Sequence, residues 1–240
     1  MASPTGANAP SATVRTTLPR SPFPAHPVIE TERLLLRALT QHDLAALHEL
    51  RKDPGFMCET SLGTPDGTTA ETQAALDDLA APSRPHFVFG VFVAETEELI
   101  GDAGVHTVRG AGLGWPEIGY KVHPARWGRG YATEAVGAIL KAWWELPREE
   151  AVVEVHPYSV SSPPSPLTEG GAQAGEKKEE VVEEVRERVV AEIATYNIGS
   201  RRVLEKLGFE HFGSWEEPDT QLHRLGQPLM LGHYVLARPA

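Results

Sequence analysis

Residues 115–146 read WPEIGYKVHPARWGRGYATEAVGAILKAWWEL, and the change of period inside them decides the fold. Ile118, Tyr120 and Val122 alternate with Gly119 and Lys121, which is a strand's period of two. Val136, Ile139, Leu140, Trp143 and Trp144 then recur at helical spacing, which gives a helix of about 15 residues. Between the two lies Gly128-Arg129-Gly130. Glycine lets backbone N–H groups turn toward a ligand with no Cβ in the way. A helix start adds free donors and the positive end of its dipole, which suits phosphate or pyrophosphate, and Arg126 or Arg129 adds charge. A tight turn before a well-started helix accounts for the same residues without a ligand. The segment lacks the Gly-Lys-Ser/Thr end of a P-loop, and Thr133 with the long connection after Leu146 does not suit a dinucleotide fingerprint.

Working outward, Phe87–Ala94 and Leu99–Val108 are β-rich runs joined by a short acidic turn and are expected to pair as a hairpin. Before them, Arg33–Leu39 reads as a strand. Leu44, Leu47 and Leu50 mark a helix ending before Pro54, and Thr69–Leu79 marks a second. Beyond the quoted stretch, Val189–Tyr196 reads as a strand, NIGSRRVLEKLG (197–208) as a loop, helix and glycine stop, and Phe209–Trp215 and Leu229–Ala237 as two last strands. The expected class is α/β: a mixed, mostly antiparallel sheet with flanking helices and a central βαβ crossover.

Two stretches fall outside that pattern. Residues 1–27 hold six of the twenty prolines and no acid. They read as a disordered tail, with an organelle transit segment as the alternative. A single domain is expected over 28–240, carrying a low-complexity and charged insertion at about 156–187. Ala151–Val155 reads as a short strand before it. Glu176–Arg188 is either a surface helix or a solvated charge run.

Composition narrows the function. The net charge of −11 disfavours nucleic-acid binding, which needs a basic surface, and favours cationic partners. No apolar run approaches the roughly 18 to 20 residues of a membrane span, and the N-terminus lacks a secretory apolar core. The expected location is the cytoplasm, with organelle targeting by residues 1–27 as the alternative. The lone Cys58 excludes an internal disulfide and is expected to be inert. The histidines form no HExxH, and no metal is expected. No GxSxG elbow is present.

Three motifs in order, EIGYKV (117–122), HPARWGRGYATEA (123–135) and NIGSRRVLEKLGF (197–209), resemble the Gcn5-related N-acetyltransferase (GNAT) superfamily. The opening ETERLLLRALTQHDLAAL (30–47) is similar to its Rim-type branch, which acetylates ribosomal-protein N-termini. The resemblance runs from about Ile29 to Ala237, apart from the insertion, and implies acetyl-CoA as co-substrate. The family's R/Q-x-x-G-x-G/A signature falls on Trp127-Gly128-Arg129-Gly130-Tyr131-Ala132, with Trp in the first place. The amides of Arg129, Gly130, Tyr131, Ala132 and Thr133 are then implied to hold the pyrophosphate. Tyr120, Lys121, Val122 and His123 are implied to line the pantetheine arm, which Asn197 meets, with Ser200 at the following helix start.

The chemistry needs a neutral amine. An α-amino group, with a pKa of about 7.7, is partly neutral at pH 7, whereas a lysine amine, at about 10.4, is under about 0.1% neutral. Glu117 is the expected base, since burial in a sheet would raise its pKa to a useful value. A strand carboxylate paired with Lys or Arg is the alternative. Where many relatives carry a tyrosine to protonate the departing thiolate, this chain has Leu204, so Ser200, Tyr196 or water must serve. Tyr196 can equally be a strand residue packing on the sheet. Glu59, between the first two helices, is placed to hold a cationic amine or to be a solvated loop acid. The expected reaction is acetyl transfer to a primary amine, a protein N-terminus or a small molecule. A degenerate acetyl-CoA sensor and a scaffold whose insertion binds a partner are the rivals.

Overall fold

The computed structural model describes residues 11–21, 23, 26–80, 86–109, 112–160 and 183–240. The strands are β1 (Ala12–Pro19), β2 (Ile29–Glu30), β3 (Leu34–Arg37), β4 (Phe87–Val93), β5 (Leu99–Thr107) and β6 (Glu117–Val122) in the first half. β7 (Arg148–Val155), β8 (Glu183–Glu184), β9 (Arg188–Ala194), β10 (Glu210–Pro218) and β11 (Pro228–Ala237) follow. The helices are α1 (Leu44–Arg51), α2 (Pro54–Met57), α3 (Thr69–Ala80), α4 (Tyr131–Glu145) and α5 (Ile198–Lys206).

The main sheet has the order β10-β11-β9-β6-β5-β4-β3-β2. Its one parallel pair is β6 with β9, and all the others are antiparallel. That is the expected mixed sheet with a central crossover. The hairpin of β4 and β5 stands where the two apolar runs placed it. β6 and β9 pair only at Glu117 and Val190. Past that point the two strands separate, and the sheet opens in its middle.

One face of the sheet packs on α4 and α5. Val136, Ile139 and Trp143 of α4 and Leu204 of α5 are fully buried with Phe87, Phe89, Ile118 and Val189. This is the apolar stripe read from the helix period. On the opposite face, Leu47, Leu50, Phe56, Met57 and Leu76 of α1–α3 close over Phe92 and Leu99. Asp53 caps α2 by accepting from the Phe56 amide, so Pro54 starts a helical turn where the sequence reads as loop.

Residues 1–27 are not simply a tail. Residues 1–10 lie outside the described residues, but Ala12–Pro19 is a strand that pairs antiparallel with the whole of β7, from Ala12↔Val155 to Pro19↔Arg148. Val14 and Leu18 are 1% exposed. Val14, Thr16 and Leu18 alternate with Arg15 and Thr17, a strand pattern that the surrounding prolines dilute when composition is averaged. A partner strand supplies the burial that the segment alone lacks. β8 adds to β1 in parallel, completing the order β7-β1-β8. Val14 and Val155 of this second sheet, with Val185 just past β8, pack against Trp115 just before β6 and against Val190, Trp215 and Val235 of the main sheet.

The charge run also departs from expectation where it is described. Residues 161–182, the bulk of the insertion, lie outside the described residues. Residues 183–188 are extended rather than helical, and Val185 and Glu187 are buried, so this part is not a solvated face.

The loop after α2 is tied down by Asp66. Its carboxylate accepts from Arg51 Nε at 2.6 Å, Arg51 Nη2 at 3.0 Å and Thr72 Oγ1 at 2.7 Å. Burial works to raise the Asp66 carboxyl, and the Arg51 guanidinium and Thr72 hydroxyl overcome it, leaving it below the usual range. A depressed folded-state pKa gives stability at neutral pH that is lost as pH falls through that pKa. Asp66→Asn should therefore cost about 2 kcal/mol at pH 7. The gap to wild type should close in acid, as followed by urea melts across pH. A gap that persists unchanged in acid would assign the effect to shape rather than charge.

Candidate active site

The opening between β6 and β9 leads into a cavity of about 700 Å³. Glu117, Tyr120 and Lys121 of β6 line it on one side, and Glu192 of β9, Asn197 and Ser200 on the other. Glu59 comes in from the loop after α2.

Glu117 begins β6, with 21% of its side chain exposed, and its Oε1 lies 3.8 Å from His106 Nε2. Burial, together with the charge of Glu217, pushes its carboxyl up to about 7. The same forces act on Glu192, where burial and then the charge of Glu117 raise it to about 7. Lys121 pairs with Asp102 at 2.7 Å, and Arg51 is held by Asp66. The remaining wall is strongly acidic, with Glu59, Asp78, Glu117, Glu192, Glu217 and Asp219 facing the same space.

Tyr120 donates its hydroxyl to the Ser200 carbonyl at 3.0 Å, which ties the separated strand β6 to the start of α5. Burial holds this phenol far above its usual range. Asn197 caps α5, its Oδ1 accepting from the Ser200 amide at 3.0 Å. Three of the residues read from the motifs are thus joined to one another across the opening.

Gly128 and Gly130 have φ of +72° and +83°, a left-handed backbone that favours glycine. Gly130 is the N-cap of α4, so the amides of Tyr131, Ala132 and Thr133 form its first turn and leave donors free of intrahelical partners. Arg33 braces this turn. It donates to the Arg129 carbonyl and to Glu134, and its guanidinium lies 4.8 Å from the centre of the Tyr131 ring.

Other expected site residues have structural work instead. Val122 is buried, and its carbonyl accepts from Trp127 Nε1 at 2.5 Å. His123 caps the turn at Pro124–Arg126 by accepting from the Ala125 amide. Neither lines the cavity, and nor do Trp127–Thr133. Tyr196 is not a strand residue, because β9 stops at Ala194 and Tyr196 is 54% exposed in the turn beyond. Its hydroxyl neighbours Glu59 and Arg224, so the structure places Glu59 and Tyr196 in one cluster. Burial, eased by Tyr196 and Arg224, leaves the Glu59 carboxyl raised. The Cys58 thiol is pushed up by burial and by Glu59, the reverse of what activates a nucleophile.

A scan of protein-family models matches residues 33–210 to the acetyltransferase (GNAT) domain. This chain belongs to the GNAT family. The GNAT chain is 31% identical over 130 residues to the uncharacterized N-acetyltransferase p20 of Bacillus licheniformis, covering 52% of this chain and 71% of that protein. Its fold matches spermidine N-acetyltransferase from Vibrio cholerae, solved with CoA and spermine (TM-score 0.58, 16% identity, 87% of this chain and 97% of that one). It also matches a RimL ribosomal-protein alpha-N-acetyltransferase solved with coenzyme A (TM-score 0.59, 14% identity, 89% and 98%). The GNAT chain is an acyltransferase, and no helix among its described residues is long and apolar enough to cross a membrane.

Sequence reasoning missed Glu192, Glu217 and His233. A signal existed for two of them. Glu192 is the one acid in the apolar strand RVVAEIA (188–194), and His233 is the one basic residue in PLMLGHYVLA (228–237). A titratable group placed alone in a buried strand needs a reason.

Proposed function

We infer that the GNAT chain transfers acetyl from acetyl-CoA to a cationic primary amine by direct attack, with Glu117 as the base. The observation that carries this reading is the cavity at the β6–β9 opening, where Glu117, Asn197 and Ser200 face one space and the wall is acidic. An acidic wall attracts an ammonium ion and raises its local concentration. Glu117 then takes one proton from it, directly or through water. The freed nitrogen forms a bond to the thioester carbon, the carbon–sulfur bond breaks as the nitrogen sheds its second proton to solvent, and the thiolate gains a proton from solvent, directly or relayed through the Ser200 hydroxyl, which is reprotonated in turn. Tyr196, engaged with Glu59 and Arg224, belongs to the amine side in this reading rather than to the thiolate. Much of the rate comes from holding the two substrates in register.

The acetyl-CoA pyrophosphate is assigned to the amides of Arg129–Thr133. Gly130→Ala places an L side chain at φ +83° with no neighbour nearer than Arg33 Nη2 at 3.5 Å, so backbone strain rather than a clash is introduced. Strain of about 1 kcal/mol, relieved by rotation of the loop, should weaken acetyl-CoA binding about fivefold by calorimetry. Unchanged binding in a folded variant would remove the loop from the site.

The reaction is tested by incubating the protein with acetyl-CoA and a pool of N-terminal peptides, an N-blocked lysine peptide, polyamines and small amines. Intact masses are then read. Acetylation of a cationic member supports the assignment. Acetyl-CoA binding with no acetylated member of any class would favour the sensor.

A further inference from the structure

Beyond the acetyl-transfer residues, Glu192 on β9 and Glu217 on β10 line the cavity, and the buried His233 on β11 lies beside them. Their ligating atoms all lie within 4.8 Å of one another. We propose that these three residues form a binding site for a divalent transition-metal ion of the zinc class, held by one imidazole and two carboxylates from three adjacent strands.

The first argument is His233. It is 0% exposed, and neither ring nitrogen makes a hydrogen bond. A buried imidazole that has lost water and makes no well-aligned hydrogen bond is under-satisfied. Its Nε2 instead points among carboxylate oxygens, 3.4 Å from Glu217 Oε1 and 3.9 Å from Glu192 Oε1. An ion seated between them would satisfy the nitrogen and both acids at once.

The second argument is spacing. A tetrahedral ion with ligands at about 2.0 to 2.1 Å needs its donor atoms about 3.3 Å apart. His233 and Glu217 already have this separation. Glu192, with 21% of its side chain exposed, has room to move in by rotation of its own torsions. Glu192 and His233 are directly opposed in the β9–β11 ladder, which fixes their backbones.

The third argument is the support around the ligands. Trp215 lies flat on His233, with ring centres 3.6 Å apart and planes at 10°, so the imidazole cannot turn away. The Trp215 indole nitrogen donates to Glu217 Oε1 at 2.6 Å. Metal ligands are commonly oriented by such outer partners. An imidazole with two carboxylates favours zinc, cobalt or nickel over magnesium and calcium, which prefer oxygen donors alone. Glu192 and Glu217 line the same cavity as Glu117.

The test uses the full chain, freed of metal with a chelator. Zinc uptake is measured by equilibrium dialysis with elemental analysis, and cobalt is added to look for the visible d–d absorption of a low-coordinate site. Stoichiometric uptake at micromolar ion and a cobalt band are expected. Glu192→Gln and Glu217→Gln alter partly exposed side chains, and each should weaken binding at least about 10- to 100-fold with circular dichroism unchanged. His233→Gln should abolish the cobalt band, and the two glutamine variants carry the test if that buried substitution fails to fold. Absence of uptake by wild type, or uptake unchanged in both glutamine variants, overturns the site. Neither readout depends on acetyl transfer, so failure of the proposed reaction leaves this result standing.

Discussion

Glu117→Gln should lower the turnover of a lysine-like or polyamine acceptor by about 100-fold or more, within the range by which a positioned general base accelerates proton transfer. The amide keeps the size of the side chain and cannot take the proton. Acetyl-CoA affinity should stay the same, because the change lies on the amine side. The loss should be smaller for an α-amine, part of which is already neutral at pH 7. In wild type, assayed with a chelator present, the rate should rise with pH through about 7, where burial and Glu217 place the Glu117 carboxyl, because the base works only when ionised. In the variant this limb should disappear. A variant rate equal to wild type at every pH would leave the amine to be deprotonated by solvent and would remove Glu117 from the mechanism. A second readout comes from stability. A carboxyl whose folded-state pKa is raised favours folding in acid and opposes it once pH passes that pKa. Glu117→Gln should therefore melt higher than wild type above pH 7 and match it in acid. A group kept for catalysis at the expense of stability behaves this way.

Arg148→Met should be among the most destabilising single changes, at about 3 to 5 kcal/mol, because it strands a buried acid. Arg148 Nε donates to Glu187 Oε2 at 2.7 Å, with side-chain exposures of 9% and 0%. The same guanidinium donates to the carbonyls of Leu146 and Trp143 at 2.7 and 2.6 Å, closing the C-terminal end of α4. Arg238 lies 3.9 Å from Glu187 on its far side. Burial alone raises the Glu187 carboxyl and lowers Arg148, and each offsets the other's desolvation. With arginine removed, Glu187 should take up a proton more readily, so the loss should be largest at neutral and alkaline pH and shrink in acid. The double variant Arg148→Met with Glu187→Leu should regain much of the stability, since apolar replacements of a whole buried pair are often neutral or better. Urea melts of the single and double variants decide it. A double variant no more stable than Arg148→Met would mean that the bonds to α4 matter more than the ion pair.

The parts of the molecule that were legible share one property: their signal is local. The stripe from Val136 to Trp143 recurs within a few turns, and Gly128 and Gly130 mark their own backbone conformation. Glu117 and Ser200, which line the cavity, sit in motifs whose spacing is short. What stayed hidden depends on neighbours across strands. Glu192 and His233 face each other only because β9 and β11 pair, and nothing within either strand announces the other. The β1 strand was concealed for a related reason. Its alternation is short, its flanks are proline-rich, and the strand that rewards its ordering is distant in sequence. Glu187 looked like one member of a charge run, and only the placement of Arg148 and Arg238 explains why it is buried.

The pairing of Ala12 with Val155 also bears on how the molecule comes to exist. Once synthesised, β1 must wait for a partner strand that lies more than half the chain further on. Contacts this far apart in sequence slow folding, because the loop between them must be closed before the pairing repays it. Until then Val14 and Leu18 remain exposed on an unpaired edge, a surface open to wrong partners. The small sheet should thus be a late-forming part of the domain. Removal of β1 should therefore reduce the yield of folded protein even though none of its residues lines the cavity.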